Sequence, residues 1–556
     1  MSNSPHFDTS FSESIYRQKY AQEGEDWPGT VARVAFNVLD SVGLAESDER
    51  TRLQALMERK QFIPGGRYLY ASGRDLHQVQ NCSLYIAEDT REGWAELTQK
   101  VTMALMTGAG VGVWYGDVRP SDSIISRTGG VASGPISLMK IVNEIGRNVM
   151  QGGARRSAIW AGLPWWHPDV FHFIRAKDWS QEVRDLKNKD FSFPATLDMT
   201  NISVSLDQAF FDAYEGNEWF SPRELDAPNG GSWFEWATMV YDLVVSKMLT
   251  TAEPGFTVDV GDNAGEVARN ACTEISSRDD SDICNLGSLN MGRFDTKEQF
   301  SSAVKDATLF LLAGTVYSDL PHEEVYATRE KNRRLGLGLM GIHEWLLKRG
   351  KIYGPDEELG EWLEEYARST GYAHEWADKL GISRPVKTRA IAPNGTIGII
   401  AETTTSAEPI FAAAYKRRVR LSTARGDRTV FEYVVDPTAA RLVAQGVEPA
   451  LIEDAYTLAY DVERRVAFQA WLQQYVDHCI SSTVNLPRVM DQADEQREFG
   501  EMLINYLPRL RGITCYPDGS RGGQPLTSVP LEYALDKTGV VFESEQDACV
   551  GGQCGV

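Results

Sequence analysis

Short apolar runs alternate along this chain with amphipathic helical patterns, and glycine turns separate them. That alternation restricts the fold more than any other feature, because a strand–helix–turn–strand order buries itself most simply as an α/β layer with parallel strands. Leu84-Tyr85-Ile86 reads as a strand. Asp89-Thr90 offers a helix N-cap, and Trp94, Leu97, Val101 and Leu105 follow at helical spacing. Gly108 to Gly112 then breaks that helix and leads into the apolar run Val111-Gly112-Val113-Trp114. Further strand candidates are 158–163, 202–206, 335–340, 397–401 and 513–516. Helical patterns cover 27–60, 236–250, 300–316, 357–380 and 454–481, and the first ends at the turn sequence Ile63-Pro64-Gly65-Gly66. A closed α/β barrel is the simplest container for so many strands, although an open sheet satisfies the same pattern.

The formal net charge of −22 over 556 residues argues against a non-specific nucleic-acid or membrane binder, either of which needs a basic face. The polar N-terminus has no apolar core of a secretory signal, and no apolar run reaches the length of a membrane span. These features predict a soluble cytoplasmic protein. The seven cysteines are too sparse for a disulfide scaffold. Their spacing also argues against a structural zinc site, so no metal is expected.

The densest chemical cluster is Asn270-Ala271-Cys272-Thr273-Glu274. In an extended segment Asn270, Cys272 and Glu274 share one face. A thiol is then flanked by a carboxylate able to act as general base and an amide able to hold a hydroxyl. Cys284 follows in Cys284-Asn285-Leu286-Gly287-Ser288, and Cys82 lies far upstream. Taken alone, the same residues also describe a surface loop with one buried, inert thiol. Near the C-terminus, Cys549 and Cys554 flank a glycine-rich segment, which reads as a mobile arm or as a tail without function.

Asn270-x-Cys272-x-Glu274, Cys284-Asn-Leu-Gly-Ser, Asn81-Cys82 and the tail cysteines resemble, in type and order, the catalytic subunits of ribonucleotide reductases. The likeness is greatest to the adenosylcobalamin-dependent class II branch. Phe62-Ile-Pro-Gly-Gly-Arg67, Gly153-Ala-Arg-Arg-Ser157, His167-Pro-Asp169, Arg334-Leu-Gly-Leu-Gly-Leu-Met-Gly341, Ala392-Pro-Asn-Gly-Thr-Ile397, Thr483-Val-Asn-Leu-Pro487 and the stretch from Gly512 to Arg521 extend the likeness. The resemblance implies a ten-stranded α/β barrel over 76–530, with a central finger loop carrying a thiyl cysteine. A small helical region (1–75) precedes it, and a redox-active tail (531–556) follows. It also implies roles. Cys272 is the transient thiyl that takes the ribose 3′-hydrogen, Glu274 deprotonates the 3′-hydroxyl and Asn270 positions the ribose. Cys82 and Cys284 reduce the 2′-position and end as a disulfide, which Cys549 and Cys554 reset by exchange. Cys479 and Cys515 have no part in this scheme and read as structural.

The family's substrate-phosphate loop falls on Pro393, Asn394, Gly395, Thr396 and Ile397, where backbone N–H groups can cradle an anion. Asp89, Gln151, Arg155 and Arg156 fall on the site for a dNTP or ATP effector, with Ser121 to Val131 as a second effector loop. The implied partners are a ribonucleotide and a thioredoxin- or glutaredoxin-like reductant, and a homodimer is compatible. The radical source divides two expectations. Class I relatives use two adjacent tyrosines where this chain has Cys515-Tyr516, which favours adenosylcobalamin. The alternative is a Tyr516 relay from a small dimetal partner subunit. From another class, a non-catalytic nucleotide-binding protein that kept the fold predicts that Cys82 and Cys284 lie apart.

Overall fold

The computed structural model describes residues 5–126, 129–149, 157–190, 193–216, 227–423, 426–518, 520, 526–537 and 541–542. Ten extended segments form its centre: β1 (Cys82–Ile86), β2 (Gly110–Trp114), β3 (Ile159–Pro164), β4 (Thr200–Asp207), β5 (Gly255–Asp259), β6 (Asp282–Ile283 continuing into Leu286–Asn290), β7 (Gly336–Met340), β8 (389–391), β9 (Thr483–Leu486, entered through Ile480) and β10 (Gly512–Pro517). β1 to β5 pair in sequence order, all parallel. β6 to β10 form a second parallel half, held at β7–β8 and β8–β9 by single bridges and flanking backbone hydrogen bonds. The halves meet antiparallel at β5–β10 and at β1–β6, which closes the ring. This is a ten-stranded α/β barrel. Among the described residues each barrel strand has a neighbour on both sides, so the sequence pattern that also allowed an open sheet is satisfied by the barrel.

Side chains alternate across each strand. On β2, Val111 and Val113 are fully buried in the apolar layer between barrel and helices. Gly110 and Gly112 therefore face the lumen, and β7 repeats the pattern with Leu337 and Leu339 outward and Gly336 and Gly338 inward. These bare inner faces make room for the finger. Its base is a two-residue antiparallel pairing of Ala268–Arg269 with Ser276–Ser277. A Cβ added at Gly112 would lie 1.8 Å from the Arg269 carbonyl oxygen, and one at Gly336 would lie 3.1 Å from the Ile275 side chain. At Gly112 glycine is required by close backbone approach rather than by torsion, whereas the nearest atoms at Gly336 are the side-chain ends of Leu286 and Ile275.

Several elements differ from the sequence reading. The pattern over 27–60 forms two helices, Trp27–Asp40 and Asp48–Glu58, separated at Gly43 in a left-handed conformation. The run at 397–401 is part of the helix Gly395–Ala401 rather than a strand. A five-residue apolar run carries no period of its own, and here Asn394 in the left-handed region starts a helix. The pattern at 454–481 breaks into Ala455–Leu458 and Val462–Gln473, because residues 478–481 are drawn into the ladder with β8. A hairpin, Ala414–Thr423 with Gly426–Val435, is flanked by Leu526–Ser528 and Val541–Phe542 in a separate four-stranded sheet.

Candidate active site

The finger tip is a turn, not the extended segment expected from the spacing. Thr273 has φ +67° and its N–H donates to the Asn270 carbonyl at 3.0 Å. Asn270, Cys272 and Glu274 are still gathered at one tip, but by a reversal of the chain. Asn270 and Glu274 are buried, while Cys272 retains partial exposure. The Asn270 side-chain oxygen accepts the Ile275 N–H at 3.0 Å and so braces the turn, leaving its amide nitrogen and Glu274 Oε2 buried without hydrogen-bond partners. Buried polar atoms of this kind are costly and mark a place for a ligand or water. Burial, and then the neighbouring Cys82 thiol, push the Glu274 carboxyl up to about 8. The Glu274 main-chain N–H and then the neighbouring Asn270 amide offset only part of that rise.

Cys82 opens β1, and Cys284 lies in β6, the antiparallel neighbour of β1. Backbone N–H groups of Asn81 and Cys284 donate to the carbonyls of Cys284 and Cys82 at 3.1 and 2.8 Å. The Cys82 N–H also donates to Cys284 Sγ at 3.0 Å. The two thiols therefore adjoin, as a reversible disulfide needs, contrary to the prediction of the non-catalytic alternative. Cys284 is raised well above the usual thiol range by burial, by the Cys82 thiol and by Glu274. Both belong to a small apolar lumen cluster with Ala271 and Ile275 of the finger.

Cys272 stands between two cavities. A narrow one of ≈ 30 Å³ is shared with Cys82, Gly110, Ser157 and Ala271. A larger one of ≈ 250 Å³ is shared with Tyr516, Pro393, Thr514, Ser203 and Ser482. Tyr516 therefore faces the lumen, while the adjacent Cys515 points into the outer core, where burial pushes its thiol up to about 12. In the phosphate-loop sequence, Asn394 is tied down by Ser288 Oγ at 3.1 Å and by its own bond to the Leu339 carbonyl at 3.3 Å. Gly395, Thr396 and Ile397 form the first turn of the following helix, whose N–H groups lack intrahelical partners.

At the effector region, Thr90 rather than Asp89 caps the helix Arg91–Met106, accepting the Gly93 N–H at 2.8 Å. Asp89 instead accepts from Arg119 Nε at 2.6 Å, a partner that sequence reading missed. Asp169 holds the start of the segment expected to form a second effector loop, accepting from Ser121 N and Oγ at 2.8 and 2.6 Å. Residues 127 and 128 of that loop, Gln151, Arg155 and Arg156, and the tail thiols Cys549 and Cys554 all lie outside the described residues.

Sequence reading also missed the ionic cluster beneath the finger. Four cations, Arg269, Arg334, Lys387 and Arg511, interleave with three carboxylates, Asp259, Glu266 and Asp282. Burial and these cations keep His478 well below its usual pKa, hence neutral. Among the described residues no cluster of ligand-type side chains could hold a metal ion, and no helix is long and apolar enough to cross a membrane.

The family model for the ribonucleotide reductase barrel domain matches residues 80–253, 260–373 and 377–506. A vitamin B12-dependent ribonucleoside-diphosphate reductase of Thermoplasma acidophilum is 28% identical, across 94% of this chain and 72% of that protein. One from Mycobacterium tuberculosis is 27% identical, across 90% and 76%. The crystal structure of a B12-dependent class II ribonucleotide reductase superposes with a TM-score of 0.70 at 17% identity, covering 96% of this chain and 95% of that one, which establishes the shared fold. With the family model spanning most of its length and the thiols gathered at the barrel's centre, this chain belongs to the ribonucleotide reductase family.

Proposed function

We propose that the chain is the catalytic chain of an adenosylcobalamin-dependent reductase that converts ribonucleoside di- or triphosphates to deoxyribonucleotides. The observation that carries this reading is the meeting of Cys82 and Cys284 on adjacent strands directly beneath the finger tip that bears Cys272 and Glu274. The ribose is taken to lie against the finger tip, within reach of Cys272, Glu274, Asn270 and Cys82. Cys272, as thiyl, takes the 3′-hydrogen, and Glu274, once ionised, accepts the 3′-hydroxyl proton. The free amide nitrogen of Asn270 holds a ribose hydroxyl. Cys82 and Cys284 give two electrons and their protons as the 2′-hydroxyl leaves as water, and become a disulfide. Cys272 then returns a hydrogen to the 3′-carbon and becomes the thiyl again, ready for the next transfer. Pro393 to Ile397 hold the substrate phosphates. Asp89 with Arg119, and Gln151, Arg155 and Arg156, serve the effector. Cys549 and Cys554 reduce the spent disulfide and are themselves reset by a thioredoxin-like dithiol.

Adenosylcobalamin, when bound, would supply the radical that oxidises Cys272. The ≈ 250 Å³ cavity next to Cys272 is small beside the ~300–1,000 Å³ typical of drug-sized ligands, and its lining residues would hold the nucleoside part of the cofactor. Its hydroxyl and amide wall, including Asn201, Ser203, Ser482 and Thr514, fits hydrogen bonding to a nucleoside. Relatives named vitamin B12-dependent support the same choice.

The test is deoxynucleotide formation by the purified chain with adenosylcobalamin, a dithiol and no partner protein. Turnover only when a dimetal subunit is added would transfer the radical source to that partner. Cys272→Ser is expected to abolish turnover while preserving nucleotide binding, and residual turnover would overturn the thiyl assignment.

A further inference from the structure

The buried cluster under the finger does more than neutralise charge. Arg269 stands immediately before Asn270 on the outgoing side of the finger, and its side chain is fully buried. Its guanidinium divides between the two barrel halves. One nitrogen donates to the Asp259 carboxylate and, at 3.3 Å, to the Val258 carbonyl, both on β5 of the first half. Another donates to Cys479 Sγ, on the approach to β9 of the second half. Asp259 is itself held by Ser205 Oγ at 2.9 Å and by Arg511 at 3.5 Å. The returning side of the finger is tied to the same cysteine, since the Cys479 N–H donates to the Glu274 carbonyl at 2.9 Å. Cys479 thus grips both sides of the tip, the outgoing side through its sulfur and the returning side through its main chain. Cys515, buried in apolar surroundings, makes no comparable contact with the finger.

We infer that Arg269 and Cys479 are positioning residues that set how far the finger projects into the lumen, and so where Cys272 meets the ribose. This inference rests on the assignment of Cys272 as the hydrogen-abstracting thiol. A planar guanidinium suits the task because its rigid fork can hold two acceptors at fixed separation, which a lysine ammonium cannot. Neither side chain touches substrate in this scheme. Loosening them therefore lowers the chemical step and leaves substrate affinity alone, and a misplacement near 1 Å costs about 10²-fold in rate.

The experiment compares the full-length chain with Cys479→Ala, Arg269→Lys and Arg269→Met. Deoxynucleotide formation gives kcat and KM. Alkylation of Cys272 by iodoacetamide, mapped by peptide mass in the cofactor-free protein, reports finger position without turnover. Cys479→Ala and Arg269→Lys are expected to lower kcat about tenfold with KM within about twofold of wild type. Both are expected to alkylate faster at Cys272 while retaining the wild-type circular dichroism spectrum. Arg269→Met is expected to lose about 10²-fold; if it fails to fold, the other two variants decide. Folded Cys479→Ala and Arg269→Lys proteins with unchanged kcat and unchanged Cys272 alkylation would overturn the inference. Activity in Cys272→Ser would instead overturn the thiyl assignment on which it rests.

Discussion

Replacing Gly112 by alanine tests whether the finger's depth sets the rate. A Cβ at this position would lie 1.8 Å from the Arg269 carbonyl oxygen, 2.7 Å from its carbon and 3.0 Å from the Asn270 carbonyl carbon. All three are backbone atoms, so no side chain can swing aside. Strand β2 cannot easily bow outward either, because Val111 and Val113 are fully buried against the helices behind it. The finger must therefore retreat by about 1.2 Å to reach the 3.0 Å below which real Cβ contacts essentially never fall. Overpacking of this kind costs about 1–3 kcal/mol of stability, which a large barrel survives. A shift near 1 Å at the reacting thiol costs about 10²-fold in turnover. Steady-state deoxynucleotide formation measures the loss, with thermal melting as the check on folding. Gly371→Ala is the control: it sits in a helix with nothing within 4 Å of the new methyl group and is expected to keep full activity. A folded Gly112→Ala protein with wild-type kcat would refute the reasoning, because it would show that the finger can move without consequence.

Further expectations concern Glu274, Tyr516 and the tail thiols. Glu274 is pushed up to about 8 by burial, so it is protonated and unable to act as base at lower pH; kcat/KM should rise with pH through that value, and Glu274→Gln should abolish turnover. Over the window from 4.5 to about 8 the fold should lose stability as pH rises, because the unfolded chain releases this proton near 4.5 while the folded chain retains it; a denaturant series in Glu274→Gln, lacking that contribution, checks the sign. Tyr516→Phe removes only the hydroxyl and keeps the ring that lines the ≈ 250 Å³ cavity, so cobalamin-supported turnover should persist, whereas complete loss would point to a tyrosyl relay from a partner subunit. Cys549→Ser with Cys554→Ser should stop after about one turnover with a thioredoxin-type reductant and recover multiple turnovers with a small dithiol, since exchange with the spent pair is then direct.

The site's chemical membership was legible from residues 82, 270–274 and 284 because thiols, a carboxylate and an amide in that order match a known chemistry. Their mutual placement was not. The reading of 270–274 as extended failed because a turn with Thr273 at positive φ leaves no mark in a period-two pattern. Nothing in the sequence singled out Arg269, and Cys479 read as structural. Their pairing spans 210 residues of sequence, so no local pattern could reveal it.

By itself, the sequence determined the α/β alternation and singled out the thiols, carboxylate and amide that the fold gathers at the finger tip, since strand and helix periods and side-chain chemistry are local properties. It also carried, in Gly-Val-Gly-Val and Gly-Leu-Gly-Leu, the bare inner faces of β2 and β7, although nothing local says what lies against them. Tertiary structure alone decided that the barrel closes, that Cys82 and Cys284 meet, and that the finger enters where those glycines leave room. Each of these depends on pairing between distant strands, whose register follows from the packing of the whole barrel rather than from any one segment.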